Sequence, residues 1–160
     1  MQQSLDFESK KSEALDVLVA MANDVDANYL VMFTYGTLRP GEGNYWIEPE
    51  VVRYWEPATT KGRMYVGGIP FVDFVGCGIK ERVVGTVLVI DRGELTDSMC
   101  HMELGAGYVP MTVPVTVVQG ANSVTVECLV WHYDRPLGSW ATYVPSGDFR
   151  DTAGSRYADR

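Results

Sequence analysis

The stretch "VPMTVPVTVVQGANSVTVECLVWHY", residues 109–133, holds two β-branched runs on either side of a short polar turn. Valine and threonine dominate the arms 109–118 and 123–133, and such residues suit a pleated, half-buried surface. Gln119, Gly120, Ala121 and Asn122 supply the turn, so the segment reads as a β-hairpin. Runs at 30–34, 58–66 and 83–90 have the same character, with Gly67-Gly68, Gly76 and Gly78 as turns between them. Helical periodicity is confined to two places. In 5–25, Leu15, Leu18, Met21, Ala22 and Val25 recur at helical spacing, and 94–103 forms a second helix set between strands. The pattern predicts an α+β protein: a small, mostly β barrel or curled sheet with one inserted helix and an N-terminal helix. Residues 1–28 read as a helical extension and 29–160 as the domain proper. The helix could pack on that domain or on a second copy, which leaves a homodimer through it open.

A chain of 160 residues is long enough for one well-buried core and too short for two ordinary domains. Its net charge of −8, with no basic cluster longer than Lys10-Lys11, argues against nucleic acid as a partner. Cys77, Cys100 and Cys128 are odd in number and lack paired spacing, as expected of reduced thiols in a cytosol-like compartment. The opening "MQQSLDFESKKSEALD" has no basic n-region and no apolar h-region, so it does not read as a signal peptide. No apolar run approaches the roughly 20 residues that cross a bilayer. The expectation is a soluble, cytoplasmic protein that does not engage a membrane.

Two features could carry chemistry. The first is the exit of the first strand, "MFTYGTLRPGEGNY", residues 32–45. Gly36 lacks a Cβ, so its peptide can approach a ligand and adopt backbone angles closed to other residues. Gly36, Thr37 and Leu38 each carry an amide N–H just past the strand end, suited to an anion or a developing oxyanion. The same residues also fit a plain strand-to-loop exit closed by Pro40-Gly41. The second feature is Glu103, which follows Leu95 and Met99 at four-residue steps on one helix face. That apolar stripe points the carboxyl inward, and desolvation would raise its pKa towards the range useful for proton transfer. A solvated glutamate at a fraying helix end is the alternative.

The remaining candidates are weak. Cys100 and His101 are helix neighbours about 100° apart and make a poor nucleophile–base pair. Cys128 and His132 share a strand face and, with Cys100, could in principle ligate zinc, but the usual ligand spacing is missing, so no metal is expected. The nucleotide and Ser–His–Asp fingerprints are absent from the sequence, and no cofactor is expected.

Taken together, "FTYGTLRPG" after a first strand and "MCHMELGAGY" before a late hairpin resemble the γ-glutamylcyclotransferase-like family, also called AIG2-like or BtrG-like. The resemblance covers about residues 31–150. It implies a barrel of about six strands and a reaction that cyclises a γ-glutamyl group to 5-oxoproline, releasing an amine or amino acid. It implies Glu103 as the general acid/base and Tyr35, Gly36, Thr37, Leu38 and Tyr108 as the substrate-binding residues, with a small γ-glutamyl compound as substrate and no cofactor. Cys100 stands where the family has an aspartate, and Leu104 where it has a glycine. A non-catalytic protein that binds a small metabolite in the same pocket is the other function this pattern allows.

Overall fold

The computed structural model describes residues 9–67, 69–74, 80–133 and 138–156. A helix, Leu15–Ala22, precedes strand β1, Tyr29–Thr34. A 3-10 turn, Tyr45–Glu50, leads into β2, Val51–Lys61, followed by β3, Arg63–Gly67, β4, Ile69–Asp73, and β5, Arg82–Asp91. The second helix, Glu94–Gly105, precedes the hairpin of β6, Tyr108–Gln119, and β7, Asn122–Tyr133. A short strand β8, Thr142–Tyr143, and a 3-10 turn, Phe149–Asp151, complete the order.

Five strands close into a barrel in the order β1-β5-β2-β6-β7, and β4-β3-β8 form a separate three-stranded sheet. Barrel neighbours run antiparallel except at the seam, where β1 meets β7 in parallel at Met32 and Leu129. The hairpin pairs without a register slip from Tyr108 opposite Tyr133 to Gln119 opposite Asn122, as its two valine-rich arms require.

Alternation along the strands sorts the core into two clusters. Phe33, Val87, Val89, Val115 and Val130 belong to one, together with Leu15 and Leu18 of the N-terminal helix. Met32, Leu88, Ile90 and Trp131 turn to the other, where they meet Met99 of the second helix. β5 is therefore buried on both faces over most of its length. The N-terminal helix spends its apolar face on its own barrel, and Trp55 Nε1 donates to the Ala14 carbonyl at 3.2 Å.

Two elements differ from the sequence pattern. The helical spacing over 5–25 is not one continuous helix: Leu15–Ala22 is helical and residues 10–14 are not, while residues 1–8 lie outside the described residues. Just before the helix the backbone bonds to a strand instead: Ser12 N–H donates to the Tyr54 carbonyl at 2.9 Å, and Tyr54 N–H to the Lys10 carbonyl at 3.1 Å. The run 58–66 is two strands rather than one. It breaks at Gly62, where a Cβ would lie 2.9 Å from Val72 and 3.0 Å from Val83 side-chain carbons, so the chain turns where only glycine fits. The glycines 68, 76 and 78, and Cys77, lie outside the described residues. Among the described residues no helix is long and apolar enough to cross a membrane.

Candidate active site

The loop after β1 is held in shape by its own backbone and by what lies behind it. Arg39 N–H donates to the Gly36 carbonyl at 3.1 Å, and Asn44 N–H to the Thr37 carbonyl at 2.8 Å. Asn44 Nδ2 also donates to Thr37 Oγ1 at 2.8 Å, so both polar ends of Thr37 are clamped by one residue. These bonds use carbonyl and hydroxyl groups. Among the described residues, no acceptor takes the amide N–H of Gly36, Thr37 or Leu38. Buried backbone donors are nearly always paired, so such amides are available to a ligand.

Gly36 is needed for room rather than for its backbone angle. It is not among the glycines with positive φ, but a Cβ there would sit 2.5 Å from Pro70 Cγ. The proline ring cannot swing aside. Gly36→Ala is therefore expected to displace the loop or β4, lowering stability by about 1–3 kcal/mol and lowering any activity housed here. Thermal unfolding together with a turnover assay reads both effects.

Behind the loop lies a buried ionic cluster. Arg39 is only 2 % exposed. Its Nε donates to Thr86 Oγ1 at 3.1 Å and its Nη1 to Asp148 Oδ1 at 3.0 Å, while its Nη2 lies 3.7 Å from Glu56 Oε2. Arg150 reaches Glu56 Oε1 at 3.3 Å and the Pro40 carbonyl at 2.8 Å. Glu42 accepts from Ser155 Oγ at 2.7 Å and from the Arg156 N–H at 3.1 Å. Burial, then the nearby Arg150, draws the Arg39 pKa down, while Asp148 and Glu56 push it back up. The loop is thus bolted to β2, β5 and the C-terminal segment.

Glu103 comes from the opposite side, on the helix Glu94–Gly105. That helix has no side-chain cap of its own at Gly93. Its free amides are satisfied from elsewhere: Glu50 accepts from Leu95 N–H at 3.0 Å and from Thr96 N–H at 2.7 Å, and also from the Thr96 hydroxyl. Burial pushes the Glu50 pKa up, but these three hydrogen bonds outweigh it and hold the carboxyl below its ordinary value. A depressed carboxyl stabilises the fold above its unfolded pKa, and the benefit is lost as pH falls through the folded value. Glu50→Ala is expected to cost about 1–2 kcal/mol near neutral pH and less in acid, in urea unfolding at several pH values. The chain leaves the helix through Gly107, whose φ of 92° carries it on to Tyr108.

The two sides meet at one cavity of about 230 Å³. Tyr35, Gly36, Thr37 and Leu38 line it from the loop, Glu103 from the helix, and Tyr108 from the start of β6. All six residues singled out in the sequence therefore face the same space. Glu103 is half-buried, and burial raises its pKa above the ordinary carboxyl value. Among the described lining residues it is the one carboxylate, and Lys, Arg and His are absent. Tyr108 stacks on Phe71 with centroids 6.1 Å apart, and its pKa is raised by burial, then by Glu103. Tyr35 donates its hydroxyl to the Trp131 carbonyl at 2.7 Å, fastening the loop after β1 to β7. Its pKa is raised well above normal by burial, then by Tyr108 and Glu103.

Other lining residues were not singled out in the sequence. Asn44 stood within the quoted loop, and its side-chain amide was a usable signal. Ile69 and Pro70 of β4 and Trp131 of β7 come from strands distant in sequence from the loop. The Trp131 Nε1–H is buried and unpartnered among the described residues, a donor left over at the cavity wall. Cys100 and Cys128 fall in different core clusters, and the described residues hold no group of three or more His, Cys, Asp or Glu that could take a metal ion.

Residues 32–151 match the family described as "Gamma-glutamyl cyclotransferase, AIG2-like". The chain belongs to that family. The matched span begins with the first of the cavity residues and includes Glu103 and Tyr108. Among solved structures, this family member is similar to YkqA from Bacillus subtilis, at 25% identity and a TM-score of 0.55. That match covers 77% of this chain and 40% of YkqA, so the chain spans two fifths of YkqA's length. An AIG2-like protein from Mus musculus shares 20% identity with a TM-score of 0.51, over 78% of this chain and 91% of its own. A protein of Arabidopsis thaliana shares 20% with a TM-score of 0.53, over 74% and 76%. The mouse and plant likenesses show the fold alone. No curated protein matches in sequence.

Proposed function

We propose that the protein is a γ-glutamyl cyclotransferase, releasing 5-oxoproline and a free amine from γ-glutamyl amides. One observation carries this reading: a half-buried carboxylate and a row of unengaged backbone amides share a metabolite-sized cavity. In the reaction the substrate's α-amine attacks its own γ-carbonyl carbon. A C–N bond forms the five-membered lactam, and the amide C–N bond to the leaving amine breaks. Glu103 takes the proton lost by the α-nitrogen and returns one to the leaving nitrogen, so no water, metal or redox partner enters the balance. The Gly36, Thr37 and Leu38 amides hold the glutamyl end and stabilise the oxyanion as it develops. Tyr108 packs beside Glu103 and limits water around it.

The reading takes residues 29–160 as the catalytic domain and 1–28 as an extension, with the reaction in the cytoplasm. Its test is mass-spectrometric detection of 5-oxoproline after incubating purified protein with γ-glutamyl amino acids, γ-glutamylamines and γ-glutamyl-lysine isopeptide. Release from any of these is the expected result. Tight binding without release, unchanged in Glu103→Gln, would replace the enzyme with a metabolite-binding protein.

A further inference from the structure

The cavity opens through a mostly apolar mouth, and its mouth and interior would meet different parts of a γ-glutamyl amide. The residues that line the cavity while remaining open to solvent mark the mouth. They are Ile69, 45% exposed, and Met102, 44% exposed, with Ala106 just past the helix end and Asn44 as the polar member. The apolar surface extends beyond the mouth. Trp140, 49% exposed, meets Phe71 edge-on at 4.9 Å and lies against Gly67, the residue paired with Ile69 at the tip of the β3–β4 hairpin.

This inference rests on the cyclotransferase reading and names its leaving group. The reacting α-amine and γ-carbonyl must sit within reach of Glu103 and the loop amides, so the glutamyl end fills the interior. The substituent on the departing nitrogen is then directed outward past Ile69 and Met102. Charged groups set against these side chains would lose hydration without a counter-charge, whereas apolar groups gain by burial. A leaving amino acid carries a carboxylate one carbon from the departing nitrogen, and the described cavity lining offers it no Lys, Arg or His. We propose that the preferred substrates are γ-glutamyl amides of uncharged, apolar or arylalkyl amines.

The test compares 5-oxoproline release by the full chain from γ-glutamyl-benzylamide, γ-glutamyl-butylamide, γ-glutamylglycine and Nε-(γ-glutamyl)lysine. The first two are expected to show kcat/KM about tenfold or more above the others. Ile69→Lys places a cation at the mouth on an already exposed side chain, and the ratio of benzylamide to glycine substrate is expected to fall several-fold. Equal or better turnover of the glycine or lysine substrate overturns the leaving-group assignment while leaving the cyclotransferase reading intact. A ratio that Ile69→Lys does not move overturns the mouth as its cause. If no substrate in the panel releases 5-oxoproline, both readings fall together.

Discussion

Glu103→Gln is expected to lower kcat for 5-oxoproline release by about 10²–10⁴-fold, the usual contribution of a positioned proton-transfer group. The amide keeps the shape of the side chain and its place in the cavity lining, so KM is expected to change much less. The wild-type pH profile should carry the signature of the same residue. Glu103 must be ionised to accept a proton, and burial holds its pKa above the ordinary carboxyl value. The acid limb of kcat/KM should therefore lie above the usual carboxylate range and be absent from the residual activity of Glu103→Gln.

The substitution should affect stability in the opposite sense. A carboxyl whose folded pKa is raised favours the fold below its unfolded pKa, and that advantage disappears as pH rises through the folded value. At neutral pH wild type keeps a partly desolvated charge that the variant lacks. Glu103→Gln should melt higher than wild type near neutrality, with the gap closing in acid. A variant that loses activity and gains stability fits a residue retained for chemistry. One that loses both would point to a packing role.

The legibility of fold and site in the sequence followed how local each feature is. The β6–β7 hairpin was plain because its pattern and its turn lie within one continuous segment. The first half of β2, Val51 to Pro57, was not recognised. It mixes Arg53, Trp55 and Glu56 with valines, and its pairing with β5 slips register between Val51 and Arg53 and again between Trp55 and Ala58. Such a strand has no clean period of two. β4 has only five residues, one of them Pro70, so its local pattern alone does not mark it as a strand.

In the site, helical spacing was enough to turn Glu103 inward, and the loop motif marked the amides. The sequence could not show which segments support them. The helix end carries Cys100 where the family has an aspartate, and that thiol packs at the edge of the second core cluster. The helix is fixed from its other end by Glu50, 45 residues before Leu95. Gly107 supplies the turn after the helix, while Gly105 remains its last residue. Nothing in the local sequence links Gly36 to Pro70 either.

Arg39→Met is expected to cost about 3–5 kcal/mol of unfolding free energy, the range for breaking a buried ion pair from one side. Arg39 is buried among core side chains, and methionine can occupy much of its volume. What methionine cannot do is answer Asp148 Oδ1, Glu56 Oε2 and the Thr86 hydroxyl, all of which face the guanidinium. With the cation gone, Glu42 and Glu56 still face the Arg150 guanidinium, while Asp148 Oδ1 keeps the Arg150 backbone N–H. Urea unfolding should show a lower midpoint with little change in slope. Arg63→Met is the comparison: it removes a pair with Glu81 in which both side chains are about one third exposed, and the midpoint should stay nearly in place. Arg39→Lys should fall between wild type and Arg39→Met, because an ammonium keeps the charge but cannot reach three partners with one planar fork. Arg39 follows Leu38 directly, so loosening it also loosens the amides at the cavity. Activity that remains in Arg39→Met at a temperature where it is still folded should show a raised KM, because those amides would no longer be held in position before substrate arrives.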